Sequence, residues 1–190
     1  MKFLDALLGR SKPKQPQLDA LFGVTGAAIT LEASAGTKPT GQAAVCFKPA
    51  SGQSFAAASE ELHGLLELAV KEAGSTLQVT DDRYGYRWVV LSDPEMEDLV
   101  TSAHLVNATL EQHGFGPQLL CSVFAFSDQQ GRRFHLVYLY KRGSFYPFAP
   151  LDGERRDNEL ELRVKATLGG ELPIEPELAR WFALWGLPLG

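Results

Sequence analysis

The sequence lacks the short patterns that mark most enzyme active sites. It contains no GxSxG nucleophile elbow, no GxxxxGK[ST] phosphate loop, no HExxH zinc motif and no GxGxxG dinucleotide loop. It has two cysteines and four histidines in 190 residues, without a CxxC pair or two histidines at helical ligand spacing. We therefore expect no catalytic residues, no metal site and no cofactor, and we predict a protein that acts by binding.

An excess of positive charge and a long apolar run are also missing. Lys and Arg total 18 against 23 Asp and Glu, which gives a net charge of -5 and argues against general nucleic-acid binding. No run approaches the roughly 20 apolar residues that cross a bilayer. The stretch from Met1 to Leu8 is short for a signal peptide and carries Asp5. We predict a cytoplasmic protein.

The composition that is present, 45% hydrophobic and 22% charged, is typical of one soluble globular domain. We divide the chain into residues 1–16 and a single domain over residues 17–190. Residues 1–16 combine an apolar helical stripe with a basic linker that Pro13 and Pro16 interrupt. This pattern is typical of a membrane-surface segment or of a helix docked on protein. The residues predicted for this contact are Lys2, Phe3, Leu4, Leu7, Leu8, Arg10, Lys12 and Lys14.

Alternating apolar residues between turn signals predict three β-hairpins. The first joins AAITLEAS, which opens after Gly26, to QAAVCFKP; the second joins Thr76–Thr80 to Tyr86–Leu91; the third joins LLCSVFAF to RRFHLVYLYK. Helical segments separate the hairpins. We therefore predict an α+β fold with a single antiparallel sheet of about six strands and helices packed on it.

The C-terminal part is predicted to form two helices. The stretch from Glu159 to Leu168 carries Glu–Arg and Glu–Lys pairs at helical spacing, although its alternating apolar residues also suit a strand. A last helix starts near Pro176, with an aromatic face that either covers the core or meets a partner. That face consists of Leu178, Trp181, Phe182 and Trp185.

The most unusual stretch follows the last predicted strand and combines aromatic with basic residues. Arginine beside aromatic side chains is typical of interface hot spots, so we predict a partner-binding surface here. The alternative is that the aromatic side chains belong to the core and that the arginines pair with neighbouring acids. The predicted partner-binding residues are Tyr140, Lys141, Arg142, Phe145, Tyr146, Phe148, Arg155 and Arg156.

Other residues with chemical potential have a simpler interpretation. Cys46 and Cys121 lie in apolar runs and are predicted to be buried strand thiols, with a disulfide or a reactive thiol as the alternative. An enzyme with a dispersed site would use His135, Tyr140, Arg142 and Arg155 against an acidic ligand, and this remains the less favoured class.

Five stretches resemble the PspAB family, whose members are associated with phage shock protein A. They are MKFLDALLGRSKPKQPQLDALF, GFGPQLLCSVFAF, VYLYKRGSFYPFAP, GERRDNELEL and IEPELARWFALWG, and they span nearly the whole chain. The resemblance implies an accessory protein of a membrane-stress system, often grouped with a membrane metalloprotease. It provides no catalytic residues to transfer to this sequence.

We accordingly predict a non-enzymatic adaptor that binds phage shock protein A or an associated protein, with possible peripheral contact to the inner membrane. A chaperone-like module that binds peptides in a groove is the second class, and it rests on analogy between folds. A small-ligand-binding protein or enzyme is the third.

Overall fold

A single antiparallel sheet forms the centre of the protein. The computed structural model describes residues 17–49, 63–68, 70–72 and 74–189. The strands are β1 (Lys38–Phe47), β2 (Thr76–Asp81), β3 (Arg87–Ser92), β4 (Leu119–Ser127), β5 (Arg133–Leu139) and β6 (Ser144–Phe148). They lie side by side in the order β2-β3-β1-β4-β5-β6, and every neighbouring pair is antiparallel. The predicted six-stranded α+β architecture is confirmed.

The helices are α1 (Gly23–Ala35), α2 (Met96–Leu110) and α3 (Asn158–Leu168), and residues 63–68 and 70–72 are helical as well. A 3-10 turn, Leu18–Phe22, leads into α1. A short ribbon of β7 (Pro150–Leu151) and β8 (Arg155–Arg156) precedes α3. The helix predicted for Glu159 to Leu168 is confirmed.

The first predicted hairpin is wrong, because its first strand is the helix α1. Val24, Ala27, Ala28 and Leu31 are all buried, and they follow the i, i+3, i+4, i+7 spacing of a helix face. Gly36, with φ of 61°, ends the helix in the left-handed conformation. The strand β1 therefore has no hairpin partner before it and instead lies between β3 and β4.

The run Leu18–Ala35 is long and apolar enough to cross a membrane by length and composition, with a mean hydropathy of 1.2 over 18 residues. The sequence analysis divided this stretch between a helix and a strand and therefore expected no such run. That expectation is wrong. In the folded chain Leu21, Val24 and Ala27 are fully buried in the core. A core helix of a soluble protein passes the same test, so the run is weak evidence for a membrane span.

The sheet buries both of its faces. Towards the helices lies the larger core, which includes Phe124, Phe126 and Phe134 at 0% exposure. On the opposite face, a second apolar cluster forms around Cys46, Trp88 and further strand residues and is covered by the C-terminal residues. Because both faces are covered, strands such as β4 are apolar at nearly every position.

The last predicted helix is wrong. Only a 3-10 turn, Leu178–Arg180, forms, and the chain then continues without regular structure. We call residues 181–189 the C-terminal strap. Trp181 and Leu189 of the strap are buried against the second face of the sheet. Packing of these large side chains on the sheet outweighs the helical propensity of the local sequence. The interpretation of this stretch as a cover on the core is confirmed for Trp181 and Trp185, whereas Leu178 and Phe182 are more than half exposed.

The aromatic stretch that was predicted to form a surface is the strand β6. Phe145, Tyr146 and Phe148 each have 0% exposure. Their side chains alternate between the two faces of the sheet, as strand geometry requires. The prediction of exposed aromatic residues is therefore wrong, and the alternative that they belong to the core is confirmed.

Candidate functional site

An apolar hollow opens at one end of the second sheet face, beside the C-terminal strap. Its volume is about 460 Å³, which lies within the usual range of ligand pockets. We call it the aromatic hollow. Its lining residues are Cys46, Asp82, Tyr84, Tyr86, Trp88, Leu120, Cys121, Leu139, Lys141, Arg142, Tyr146, Phe182, Ala183, Leu184 and Trp185.

The hollow exists because several strands begin or end at the same place. Trp88 lies near the start of β3, Cys121 near the start of β4 and Leu139 at the end of β5. Phe182 enters from the strap, and 57% of its surface is exposed; Tyr84 stands in the turn between β2 and β3 and is 54% exposed. Large aromatic groups thus line a cavity that solvent can reach.

Asp82 holds the wall of the hollow that contains the β2–β3 turn. Its carboxylate accepts hydrogen bonds from the backbone amides of Tyr84 (2.8 Å) and Tyr86 (3.0 Å) and from Trp88 Nε1 (2.9 Å). Burial by itself would raise the pKa of Asp82, but these hydrogen bonds lower it. The carboxylate of Asp82 therefore stabilises the β2–β3 turn, as expected for an aspartate in such a turn.

The opposite rim of the hollow is basic. Lys141 and Arg142 follow β5, and Arg142 donates from Nε to the buried carboxylate of Glu175. Ser144 donates a second hydrogen bond to Glu175 over 2.9 Å. Burial would raise the pKa of Glu175, whereas these donors lower it. Among the residues that the structure describes, Lys141 forms no ion pair, so its ammonium group faces solvent at the rim.

Three hydrogen bonds hold the strap and the chain before it against the sheet, and a fourth orients Arg156. Tyr146 Oη donates to the carbonyl of Phe182 over 2.9 Å, and Trp181 Nε1 donates to the carbonyl of Glu175 over 3.0 Å. Arg156 donates from Nη1 to the carbonyl of Trp181 and from Nε to the carboxylate of Glu161, the latter over 2.8 Å. The strap, which forms one side of the hollow, is therefore held in place by hydrogen bonds from Tyr146 and Arg156.

The structure separates the predicted partner-binding residues instead of gathering them on one surface. Lys141 and Arg142 are at the rim of the hollow, and Tyr146 lies in its floor. Tyr140 and Phe145 lie on the helix face of the sheet, in the larger core. The remaining three residues serve other contacts: Phe148 packs under Trp185, Arg155 is exposed and donates to the carbonyl of Asp152, and Arg156 holds the strap.

The residues predicted for membrane or partner docking, between Lys2 and Lys14, lie outside the described residues. That prediction and the division into residues 1–16 and 17–190 therefore stay predictions.

The four residues proposed for a dispersed enzyme site do not meet in one place. His135 faces the second cluster and stacks on Phe148 with ring centroids 6.2 Å apart, whereas Tyr140 lies in the core on the other face of the sheet. Nδ1 of His135 is buried without a hydrogen-bond partner in the described structure. In the described parts of the chain, no three His, Cys, Asp or Glu side chains are grouped closely enough to hold a metal ion.

His135 gives the fold a specific pH dependence. Burial, with a smaller contribution from the charge of Arg133, lowers the pKa of His135 to about 4, against about 6.5 in an unfolded chain. As the pH falls below about 6.5 the unfolded state takes up the proton first, so the free energy of unfolding should drop by about 3 kcal/mol by pH 4. Urea denaturation of wild type and His135→Phe at several pH values would measure this, and the variant should lack this component.

The matched control for this experiment is His113→Gln, because His113 is exposed. Its pH profile should follow that of wild type. If His135→Phe and wild type lose stability in parallel between pH 6.5 and 4, the neutral buried imidazole is not the cause.

Sequence reasoning missed most of the hollow. Tyr84, Tyr86 and Trp88 recur at every second position, the spacing that puts side chains on one side of a strand, and this signal was available. Their meeting with Phe182 and Trp185 was not visible, because those residues are about a hundred positions away and were assigned to a helix.

Comparison with known proteins identifies one family. Its model, described as PspA associated protein B, matches residues 1–189, which is nearly the entire chain. Comparison with curated proteins and with solved structures gives no match. The match confirms the resemblance seen in the sequence, and the chain belongs to the PspAB family, PspA associated protein B.

Proposed function

We propose that this chain is a non-enzymatic accessory protein of a phage-shock system that binds phage shock protein A, or a protein associated with it, through the aromatic hollow. The observation that carries the proposal is the solvent-open apolar cavity with Lys141 at its rim. The family description, which names an association with PspA, supports the choice of partner. The protein would act in the cytoplasm, close to the inner membrane.

The chemistry of the hollow suits a protein segment. Tyrosine, tryptophan and arginine are enriched in the central residues of interfaces, and all three types line this cavity. Tyr84 and Phe182 keep more than half of their surface in water in the isolated chain. Covering these rings with an apolar side chain of a partner would remove that surface from water.

The charge of the rim indicates which type of residue lies next to the inserted apolar side chain in the partner. Arg142 is already paired with Glu175, whereas Lys141 forms no such pair among the described residues. An acidic residue next to the inserted apolar side chain would complement Lys141 and speed association. The expected partner segment is therefore apolar with an adjacent Asp or Glu.

A second contact is proposed for residues 1–16, with the surface of the inner membrane. Apolar residues such as Phe3, Leu4 and Leu7 precede Arg10, Lys12 and Lys14 in this segment. An apolar stripe beside basic residues favours binding to anionic lipid surfaces. The hollow and the N-terminal segment would then serve different partners.

One binding experiment separates these two contacts. Tyr84→Ala and Lys141→Glu should each weaken binding to purified phage shock protein A by about tenfold or more, because they remove an aromatic wall and reverse the rim charge. Neither change should alter binding to anionic lipid vesicles. Removal of residues 1–16 should reduce vesicle binding and leave the affinity for phage shock protein A unchanged. Titration calorimetry and vesicle co-sedimentation provide the two readouts.

Matched controls are Phe22→Ala and Lys71→Glu. Phe22 is 46% exposed and Lys71 is exposed, and neither lines the hollow. Both variants should bind phage shock protein A like wild type. Undiminished binding by Tyr84→Ala and Lys141→Glu would refute the hollow as the binding site, and loss of protein binding on truncation would assign that role to residues 1–16.

A further inference from the structure

The two cysteines of the chain lie opposite each other in the floor of the aromatic hollow. Cys46 of β1 and Cys121 of β4 are direct partners in the antiparallel register. Both are free thiols and belong to the apolar cluster of the second sheet face, so their side chains lie on the same side of the sheet. They are 3% and 5% exposed, and both line the hollow.

This arrangement has the geometry of a disulfide that has not been formed. Residues directly opposite in an antiparallel pair have Cα atoms about 4.5–5.5 Å apart. Disulfides join residues whose Cα atoms are about 4.4–6.8 Å apart, so the Cα separation expected for opposite residues such as Cys46 and Cys121 suits a disulfide. The two side chains already interact, since hydrogen bonding to Cys121, together with burial, raises the pKa of Cys46.

We propose that Cys46 and Cys121 are a redox-active dithiol, which a small disulfide such as oxidised glutathione, entering through the aromatic hollow, converts into a cross-strand disulfide. This proposal does not depend on the identity of the partner proposed above, but both use the aromatic hollow, so a bound partner should slow the oxidation. The reactivity of the dithiol depends on an entry path for a small molecule, and the hollow, which both cysteines line, provides one.

The reaction proceeds in two exchanges. The thiolate of one of the two cysteines attacks one sulfur of the small disulfide, whose S–S bond breaks and releases one thiolate that takes up a proton. The other cysteine then loses its proton to solvent and attacks the Sγ atom of the first, which releases the second small thiolate, and this thiolate takes up a proton. Two protein S–H groups become one S–S bond, and one small disulfide is reduced to two thiols.

The product should be easy to reduce again. The Cβ atoms of opposite strand residues are about 4.5–5.5 Å apart, whereas a relaxed disulfide requires about 3.5–4.5 Å, so the bond draws β1 and β4 together under strain. Strained disulfides have more oxidising potentials and exchange readily. Trp88 of β3 pairs with Cys46 along the edge of β1 that faces away from β4. Its fluorescence should therefore change when the disulfide forms.

The experiment exposes the folded protein to defined ratios of reduced and oxidised glutathione, followed by alkylation and mass spectrometry. Wild type should give an unalkylated species that has lost two hydrogen atoms, accompanied by a change in tryptophan fluorescence. Excess reduced glutathione should restore the dithiol. Cys46→Ser and Cys121→Ser should each stop at a stable mixed disulfide on the remaining cysteine, because neither variant can close the cross-strand bond.

Three results would overturn the proposal. The first is that the folded protein stays reduced at ratios where the urea-denatured chain forms the disulfide. The second is that oxidation accelerates in step with unfolding as low concentrations of urea are added, because the sulfur atoms would then be reached only in the unfolded state. Accumulation of a wild-type mixed disulfide without ring closure would likewise contradict the proposed geometry.

Discussion

Replacing Phe145 with alanine is expected to lower the free energy of unfolding by about 4 kcal/mol. Phe145 is fully buried on the helix face of the sheet, and its ring lies 4.9 Å from that of Tyr138. Removing the ring leaves a cavity that the two layers around it cannot easily fill, because interiors are closely packed. Denaturation in guanidinium chloride, with the slope checked against wild type, measures the loss.

The matched control for this substitution is Phe182→Ala. The same side chain is removed, but the ring of Phe182 is 57% exposed, so the expected loss is below about 1 kcal/mol. Should Phe145→Ala remain as stable as Phe182→Ala and instead weaken a partner, the interpretation of the β6 aromatic residues as core would be wrong.

Replacing Arg156 with alanine should have an effect of similar size, about 4 kcal/mol, through electrostatics instead of cavity formation. The carboxylate of Glu161 is buried and accepts hydrogen bonds from Arg156 Nε and from the backbone amide of Ala149 at 2.9 Å. Without the guanidinium group the buried charge of Glu161 has no opposite charge beside it, and the carbonyl of Trp181 loses its donor. Denaturant titration monitored by tryptophan fluorescence reports both the loss of stability and the loosened strap.

A second substitution tests the cause of this loss. Glu161→Gln added to Arg156→Ala should recover part of the stability, because the buried group then carries no charge. Arg163→Ala is the control, since Arg163 forms an exposed i,i+4 pair with Glu159 and should cost no more than about 0.5 kcal/mol. Equal stability of Arg156→Ala and Arg163→Ala would show that the Arg156 contacts are not important for the fold.

The parts of the fold that sequence reasoning predicted correctly are those with local signals. The hairpins β2–β3 and β4–β5 combine alternating apolar residues with turns that contain Asp82 and Gly85 or Asp128 and Gly131, and both are present. The helix α3 begins after Asp157, whose side chain accepts a hydrogen bond from the amide of Leu160. In these segments the local sequence and the final structure agree.

The errors arose where tertiary contacts decide the structure. The helical face of α1 begins at Val24, before the Gly26 boundary that sequence analysis placed there, so its periodicity was divided between two elements. The strand β6 was not predicted; it is the last strand of the sheet, where its Pro147 is tolerated. The strap has the composition of a helix but is fixed by donors from Tyr146 and Arg156, which no local pattern reveals.

The candidate site could be predicted only in part for the same reason. Lys141 and Arg142 were recognised from their composition, and they do line the hollow. The walls come from the β2–β3 turn and from the strap, which lie far apart in the chain and meet only on the finished sheet. A single sequence contains the residues of such a site without an indication of which distant segments meet.

The position of β1 in the sheet has a consequence for synthesis of the chain. Val45 pairs with Ser122 across the β1–β4 boundary, 122 − 45 = 77 positions later. At about 5–20 residues per second, roughly 4 to 15 s pass between the translation of these two residues. During this interval much of the apolar surface of α1 and β1 is still uncovered. Loop closure over this distance also slows folding. The nascent chain is therefore most in need of protection by chaperones before β4 emerges from the ribosome.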